Sequence, residues 1–493
     1  MTRPDPARAP CALRLAPCAL FATLLAGCGG PEVDATLVFE NVTLIDGTDR
    51  GPQTGMTVAV EGSKIVAVGP TRRITAPPGA NRFNATGMFI IPGLWDNHVH
   101  LYGYYEHSFP LFLANGVTTI RDVGGVIERV GYLRQEVQHG RLLGPRILMA
   151  GPTLDAPEIV RVIADGRAAV PTPEEAVKWV DSLAALEVDH IKVHSLTPRA
   201  AYFAILARAR EKRIPVIGHV PDSVWIQEAI DSGQRSLEHD NRIAHANSPK
   251  GIAVANWLLA EQAAFRARTV QRPSLGGLWD LRLRGEDSVR QLFDSTTAAA
   301  FAAKAADEDV WFDPTLIVLQ TQYRINEPAI RNLPEMKYVP REVLAFEEGG
   351  SPDPNPTAAM IERGRVRYQQ ILRTFRELVR SGAKFLAGTD TPVVPLVPGF
   401  SLHRELGLLV EMGLTPLQAI QAASRNAAAA ARRDDLGTVE AGKSADFVVL
   451  SANPLDDIAN TRAIQTVVVR GRMLDRATLD RMLRDAEIFA KQP

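Results

Sequence analysis

The sequence predicts an α/β protein: a (β/α)8 TIM-like barrel accompanied by a small β-sandwich domain formed from the N- and C-terminal segments. Three observations carry that expectation. Hairpin-like β texture occurs only near the two ends of the chain, the long middle alternates apolar β-like runs with helical patterns, and the chemically loaded residues of the middle fall at the C-terminal ends of those runs. At 493 residues the chain exceeds what one compact core usually holds, so two structural units are expected.

Residues 1–27 come first and differ from all that follow. Arg3, Arg8 and Arg14 precede the apolar run 15–25, which leads into Leu25-Ala26-Gly27-Cys28, the layout of a secretory signal peptide. The run is much shorter than the ~20 residues a membrane-spanning helix needs. Leu-Ala-Gly-Cys resembles a bacterial lipobox, which implies cleavage before Cys28 and lipidation of its thiol. The expected location is then exported and lipid-anchored, on the periplasmic side of a bacterial membrane, with the membrane met only through that anchor. The other two cysteines, Cys11 and Cys18, lie in the same segment, so the mature chain has no disulfide. A net charge of −1 with scattered basic residues leaves no electrostatic footprint for nucleic acid, and a small-molecule substrate is the expected partner.

The next segment, 28–93, holds short β-like pieces at 36–46, 56–69 and 81–92, punctuated by turn pairs such as Asp46-Gly47 and Glu61-Gly62. The same texture returns at 435–493, in the pieces 436–454 and 463–474. Neither end has enough strands to bury a sheet alone, so both are expected in one domain with residues 94–434 inserted between them. Within the insert, eight runs read as strands: 94–101, 116–123, 146–154, 189–196, 214–220, 235–240, 310–319 and 383–390. The segments 241–309 and 320–382 exceed simple crossovers, read as helix-rich, and are expected to wall or cover the site.

Reading only the strand ends, the polar residues are His98, His100, Lys192, His219, His239 and Asp390. Side chains two apart on a strand point the same way, so His98 and His100 enter one volume. The pair alone is a weak metal signal. Four imidazoles, a carboxylate and a lysine converging on one barrel mouth form a stronger one, because neutral imidazole and carboxylate are ligands for divalent cations such as zinc. Lys192 fits in either of two ways. It is an ion-paired barrel lysine, or a buried amine driven neutral beside cations that reacts with carbon dioxide to give a bridging carbamate.

Pro-Gly-Leu-Trp-Asp-Asn-His98-Val-His100, Ile-Lys192-Val, Gly-His219-Val-Pro, Leu-Glu-His239 and Ala-Gly-Thr-Asp390, in this order, resemble the metal-dependent amidohydrolase superfamily, and within it the imidazolonepropionase-like and prolidase-like (Xaa-Pro dipeptidase-like) branch. The resemblance covers nearly the whole mature chain, with Gly-Lys443-Ser-Ala-Asp-Phe-Val-Val-Leu similar to a closing β-domain segment. It implies two divalent metal ions, zinc by expectation. One is held by His98, His100 and Asp390, the other by His219 and His239, with a carbamate on Lys192 bridging them together with a hydroxide. Asp390 would act as the acid and base of C–N bond hydrolysis.

Weaker candidates remain. His194 shares a face with Lys192 and is read as either a substrate contact or a hydrogen-bonding neighbour, where similar proteins often carry tyrosine. His403 is read as a substrate contact or a helix cap, Arg121 and Asp122 as a structural ion pair, and His107, His139, His190 and His245 as surface residues. The leading function is hydrolysis of an amide in a dipeptide or N-acyl amino acid. A lactonase or organophosphate ester hydrolase would use the same site, and a non-catalytic binding lipoprotein is the reading from a different class. Substrate, metal identity and oligomeric state are not encoded in any motif.

Overall fold

The computed structural model describes residues 33–102, 104–161, 166–268, 275–345 and 355–492, so the signal segment, Cys28 and its lipidation lie outside the described residues. Strands, in chain order, are β1 (Leu37–Leu44), β2 (Gln53–Glu61), β3 (Lys64–Pro70), β4 (Asn81–Asn84), β5 (Phe89–Pro92), β6 (Leu94–Val99), β7 (Val117–Asp122), β8 (Arg146–Met149), β9 (Thr153–Asp155), β10 (Arg167–Ala169), β11 (Ile191–Val193), β12 (Val216–Gly218), β13 (Ser236–Glu238), β14 (Trp311–Asp313), β15 (Lys384–Phe385), β16 (Phe447–Leu450), β17 (Ile464–Val469) and β18 (Arg472–Asp475).

The two ends of the chain share one sheet of order β18-β17-β16-β5-β1-β2-β3, with β4 beside β1. Its seam is the antiparallel pair β5 and β16, where Phe447 faces Pro92 and Leu450 faces Phe89. Alternation along β16 explains why the sheet serves two cores. Phe447 and Val449 join Phe39, Val58 and Ile90 in a small core, while Val448 and Leu450 point into the main core of the middle segment.

The middle segment has the TIM-barrel-like α/β architecture, and each of the eight expected runs contributes a strand. They are arranged as two parallel sheets, β6-β7-β8 and β10-β9-β11-β12-β13-β14-β15. The expected run 146–154 breaks at Gly151, whose φ of +74° and whose Cβ position, 2.8 Å from Leu183 and 2.9 Å from Ile127, admit only glycine. Its first half pairs with β7 and its second with β11, so this one segment belongs to both sheets. On the opposite side a parallel bridge between Val99 and Thr391 brings β6 against the residues after β15.

One expectation about extent is corrected, and one strand is added. The run 310–319 stops being a strand at Asp313, and Leu316–Arg324 is a helix. Its first two amides, those of Leu316 and Ile317, donate to the buried Glu405 carboxyl at 3.0 and 2.7 Å, satisfying groups a helix start leaves open. The strand β10, missed in the sequence, lies beside β9 at the edge of the larger sheet. The long segments are helical as expected, with Gly251–Arg268, Leu275–Gln291 and Ser295–Asp307 in the first and Ala358–Arg380 in the second.

Candidate metal centre

Strand β6 builds one side of the site. Alternation sends Asp96, His98 and His100 to the same side, and Asp96 accepts hydrogen bonds from the amide and hydroxyl of Thr389 at 3.0 and 2.7 Å. The amide of Asp390 then donates to the carbonyl of His98 at 2.7 Å, and that of His100 to Thr391 at 2.8 Å. These bonds place Asp390 Oδ1 3.4 Å from Nε2 of both His98 and His100. Gly388 is required for that closeness, because a Cβ there would lie 2.6 Å from both the Asp313 carboxylate and the Cβ of His98. Gly218 does the same for Lys192, with a Cβ position 2.2 Å from the Val193 carbonyl.

All six expected ligands line one cavity of about 600 Å³. The His239 ring centroid lies 4.8 Å from that of His98 and 4.9 Å from that of His219. The Lys192 amine lies 3.4 Å from His98 Nε2. Asp390 and His239 adopt left-handed backbone, with φ of 64° and 61°, a conformation that costs about 1–3 kcal/mol for a side-chain-bearing residue and concentrates at functional sites.

Each imidazole is oriented through Nδ1. That of His98 donates to Glu238 at 2.9 Å and that of His100 to the Gly124 carbonyl at 2.8 Å. His219 meets Ser195 Oγ at 2.7 Å and His239 meets Thr315 Oγ1 at 2.5 Å. In all four rings Nε2 is left as the ligating atom, the arrangement that fixes tautomer and aim in metal-binding histidines.

Burial lowers His98 to about 3 and His239 to about 4, and takes His219 well below the usual range, so these rings are neutral. Burial alone would raise Asp390, but the surrounding His98, His100 and His239 hold it well below the ordinary carboxylate range. Burial also lowers Lys192 to about 8, loosening its hold on a proton. Neutral imidazoles, an ionised carboxylate and a weakened ammonium form a donor set suited to a divalent cation. Ligand atoms of His98, His100 and Asp390 lie within 4.8 Å of one another.

The remaining expectations divide. His194 lines the cavity, with Nδ1 3.0 Å from Asp155 Oδ2. His403 does not reach it. The helix Phe400–Met412 carries His403 into the packing behind the site, where its nitrogens meet Thr461 Oγ1 at 2.9 Å and the Asn115 carbonyl at 3.1 Å. Arg121 and Asp122 are not a pair, because neighbours on β7 face opposite ways. Arg121 instead donates to Glu238 at 3.0 Å and Asp313 at 3.1 Å, and Asp122 accepts from the amide of Leu101 at 2.8 Å. His107 and His139 are exposed, whereas His190 and His245 are buried, at 4% and 1% exposure.

Sequence reasoning missed Glu238, Arg121 in its actual role, Ser195, Thr315, Asp155 and Arg167. Glu238 carried a signal, since it adjoins His239 and a charged residue on an otherwise buried strand needs a partner.

Comparison with known proteins supports the same assignment. The chain is 22% identical over 476 residues to the imidazolonepropionase of Anaeromyxobacter dehalogenans, covering 90% of this chain and 97% of the relative. Among solved structures it resembles bottromycin amidohydrolase, with a TM-score of 0.71 at 23% identity, covering 92% of this chain and 90% of that one. It also resembles a Xaa-Pro dipeptidase solved with bound methionine, with a TM-score of 0.62 at 19% identity, covering 89% and 99%. Residues 89–474 match the amidohydrolase family, and the chain therefore belongs to that family, as a hydrolase acting on carbon–nitrogen bonds.

Proposed function

We propose that this protein hydrolyses the amide bond of a small substrate, a dipeptide or an N-acyl amino acid, at a centre of two divalent metal ions. The observation that carries the reading is the convergence of His98, His100, Lys192, His219, His239 and Asp390 on one cavity, with every histidine aimed by a fixed partner. The fold behind it is read as one eight-stranded barrel made of the two parallel sheets, with the terminal sheet as a small β-sandwich-like domain.

His98, His100 and Asp390 would hold one ion and His219 and His239 the other, with Lys192 as a carbamate between them; zinc suits these donors. Bound there, the ions would lower the pKa of water and polarise the scissile carbonyl. The chain's own part is to orient and to move a proton. Asp390, ionised and at the centre, accepts the proton of the attacking water and delivers it to the amine that departs. The carbamate would form by addition of the neutral Lys192 amine to carbon dioxide, making an N–C bond and releasing one proton to solvent. The buried Glu238 and Arg121 keep His98 in place during these events.

Metal analysis together with a panel of dipeptides, N-acyl amino acids, lactones and organophosphate esters tests the reading. Turnover confined to the amides is the expected result; turnover confined to lactones or esters, or none by metal-replete protein, overturns it. The proposed site of action is the periplasmic side of the membrane, through the lipid anchor at Cys28. Membrane fractionation of Cys28→Ser is expected to show soluble or unprocessed protein, and processed protein still sedimenting with membranes rejects the anchor.

A further inference from the structure

Two arginines line the cavity among the described residues, and they are engaged very differently. Arg282 comes from the helix Leu275–Gln291 and is committed to protein: its Nη1 donates to Ser195 Oγ at 2.6 Å and its Nε to Glu286 at 3.0 Å. Arg167 comes from β10, the strand added at the edge of the larger sheet. Its Nη1 donates to Asp155 Oδ2 at 2.8 Å, and among the described residues its remaining donors form no hydrogen bond. The side chain is 19% exposed, at the cavity.

Asp155 fixes this arrangement. It is fully buried on β9, its Oδ1 accepts from the Ala156 amide at 2.8 Å, and its Oδ2 meets both Arg167 and His194. The His194 ring in turn lies 4.3 Å from that of His219. A chain of contacts therefore runs from the proposed metal ligand His219 through His194 and Asp155 to Arg167. It leaves a guanidinium that is anchored on one edge and open on the other, a geometry matched to the two oxygens of a carboxylate.

We propose that Arg167, set by Asp155, is the subsite for the free carboxylate of the amino acid on the amine side of the scissile bond. The assignment rests on the amide-hydrolase reading and narrows it. Dipeptides and N-acyl amino acids share that carboxylate, and it lies one carbon from the nitrogen that leaves. Amides without it lose the contact and leave the guanidinium unpaired.

The test pairs N-acetyl-proline, N-acetyl-methionine and N-acetyl-phenylalanine with their primary carboxamides, using full-length protein of measured metal content. Kinetics are read alongside calorimetric binding of each compound. Wild type is expected to favour the acids by about 10²-fold in kcat/KM or affinity, the size of a charged hydrogen-bonded contact. Arg167→Gln should erase that preference by lowering turnover of and affinity for the acids far more than for the carboxamides, with metal content retained and the fold intact by circular dichroism, while Arg167→Lys retains part of it. A preference that survives Arg167→Gln, or a wild type that does not distinguish acid from carboxamide, overturns the subsite. If no compound is hydrolysed but acids bind in an Arg167-dependent way, the subsite stands and the amide-hydrolase reading falls.

Discussion

The floor and the outer wall of the cavity are both polar and both buried, yet they are built by different rules. On the floor, each proposed histidine ligand sits near or just past a strand end and is aimed by a short bond from its Nδ1 to a neighbouring strand or loop. The wall comes from the helix Leu275–Gln291 and from Asp240: Arg282, Glu286 and Asp240 line the cavity, Arg290 of the same helix pairs with Asp240 and with Glu286 at 3.0 Å, and Glu286 is shared with Arg282. Arg290 is 1% exposed, and its Nε and Nη1 find no hydrogen bond. The floor is a set of donors of the kind that suits a cation, whereas the wall carries its own counter-charges. The contrast teaches that burial of charge alone does not mark the chemistry: the reacting end is the part whose charges are not balanced by protein.

Changes to the floor should therefore cost function first, and changes to the wall should cost stability first. The largest effect is expected from Asp390→Asn, which keeps size and removes the proton acceptor. Turnover should fall by about 10³-fold, within the range of acid–base help, with the fold intact by circular dichroism. Near-normal turnover would remove Asp390 from the chemistry.

Lys192→Ala comes next. If a carbamate bridges two ions, activity and metal content drop together, and formate or acetate restores part of both with saturable dependence. If Lys192 is a structural ammonium, an alkylamine rescues and carboxylates do not; that pattern would falsify the bridging role.

Glu238→Gln sharpens the floor further. It weakens the hold on His98 without replacing a proposed ligand, and metal affinity measured by chelator competition should fall by about 10–100-fold. Unchanged affinity would reduce Glu238 to a partner of Arg121.

Arg290→Met probes the wall and should have the smallest effect on catalysis. Leaving Asp240 and Glu286 without their shared cation is expected to destabilise the protein by about 3–5 kcal/mol, while turnover measured below the unfolding range changes little. A large loss of turnover with normal stability would make the wall part of the reaction.

The same contrast explains how far the sequence could be read. That His98, His100, Lys192, His219, His239 and Asp390 share one cavity was legible because strand periodicity and short local patterns place them near strand ends. Arg121 was misread because its partners, Glu238 and Asp313, lie 117 and 192 residues away, and no local pattern encodes that choice. His190 and His245 were assigned to the surface because histidine suits water and interior alike. The overextended strand at 310–319 failed for a related reason: Leu316, Ile317, Val318 and Leu319 suit strand and helix equally, and the deciding carboxyl, Glu405, comes from a remote helix. Arg167 lies in a stretch of sequence without readable periodicity, so its place beside β9 appeared only in three dimensions.

One consequence of the bond between Asp96 and Thr389 concerns synthesis. The two residues are 293 positions apart, and the strand pair that joins the chain ends needs residues 447–450 as well. A growing polypeptide exposes His98 and His100 early, but it lacks the carboxylate between them until most of its length has been made. Tight capture of the proposed ions would thereby be deferred to the end of chain growth and become part of the last folding step. Before that point the proposed site of the first ion has two imidazoles and no carboxylate, so its full donor set exists only in a nearly complete chain.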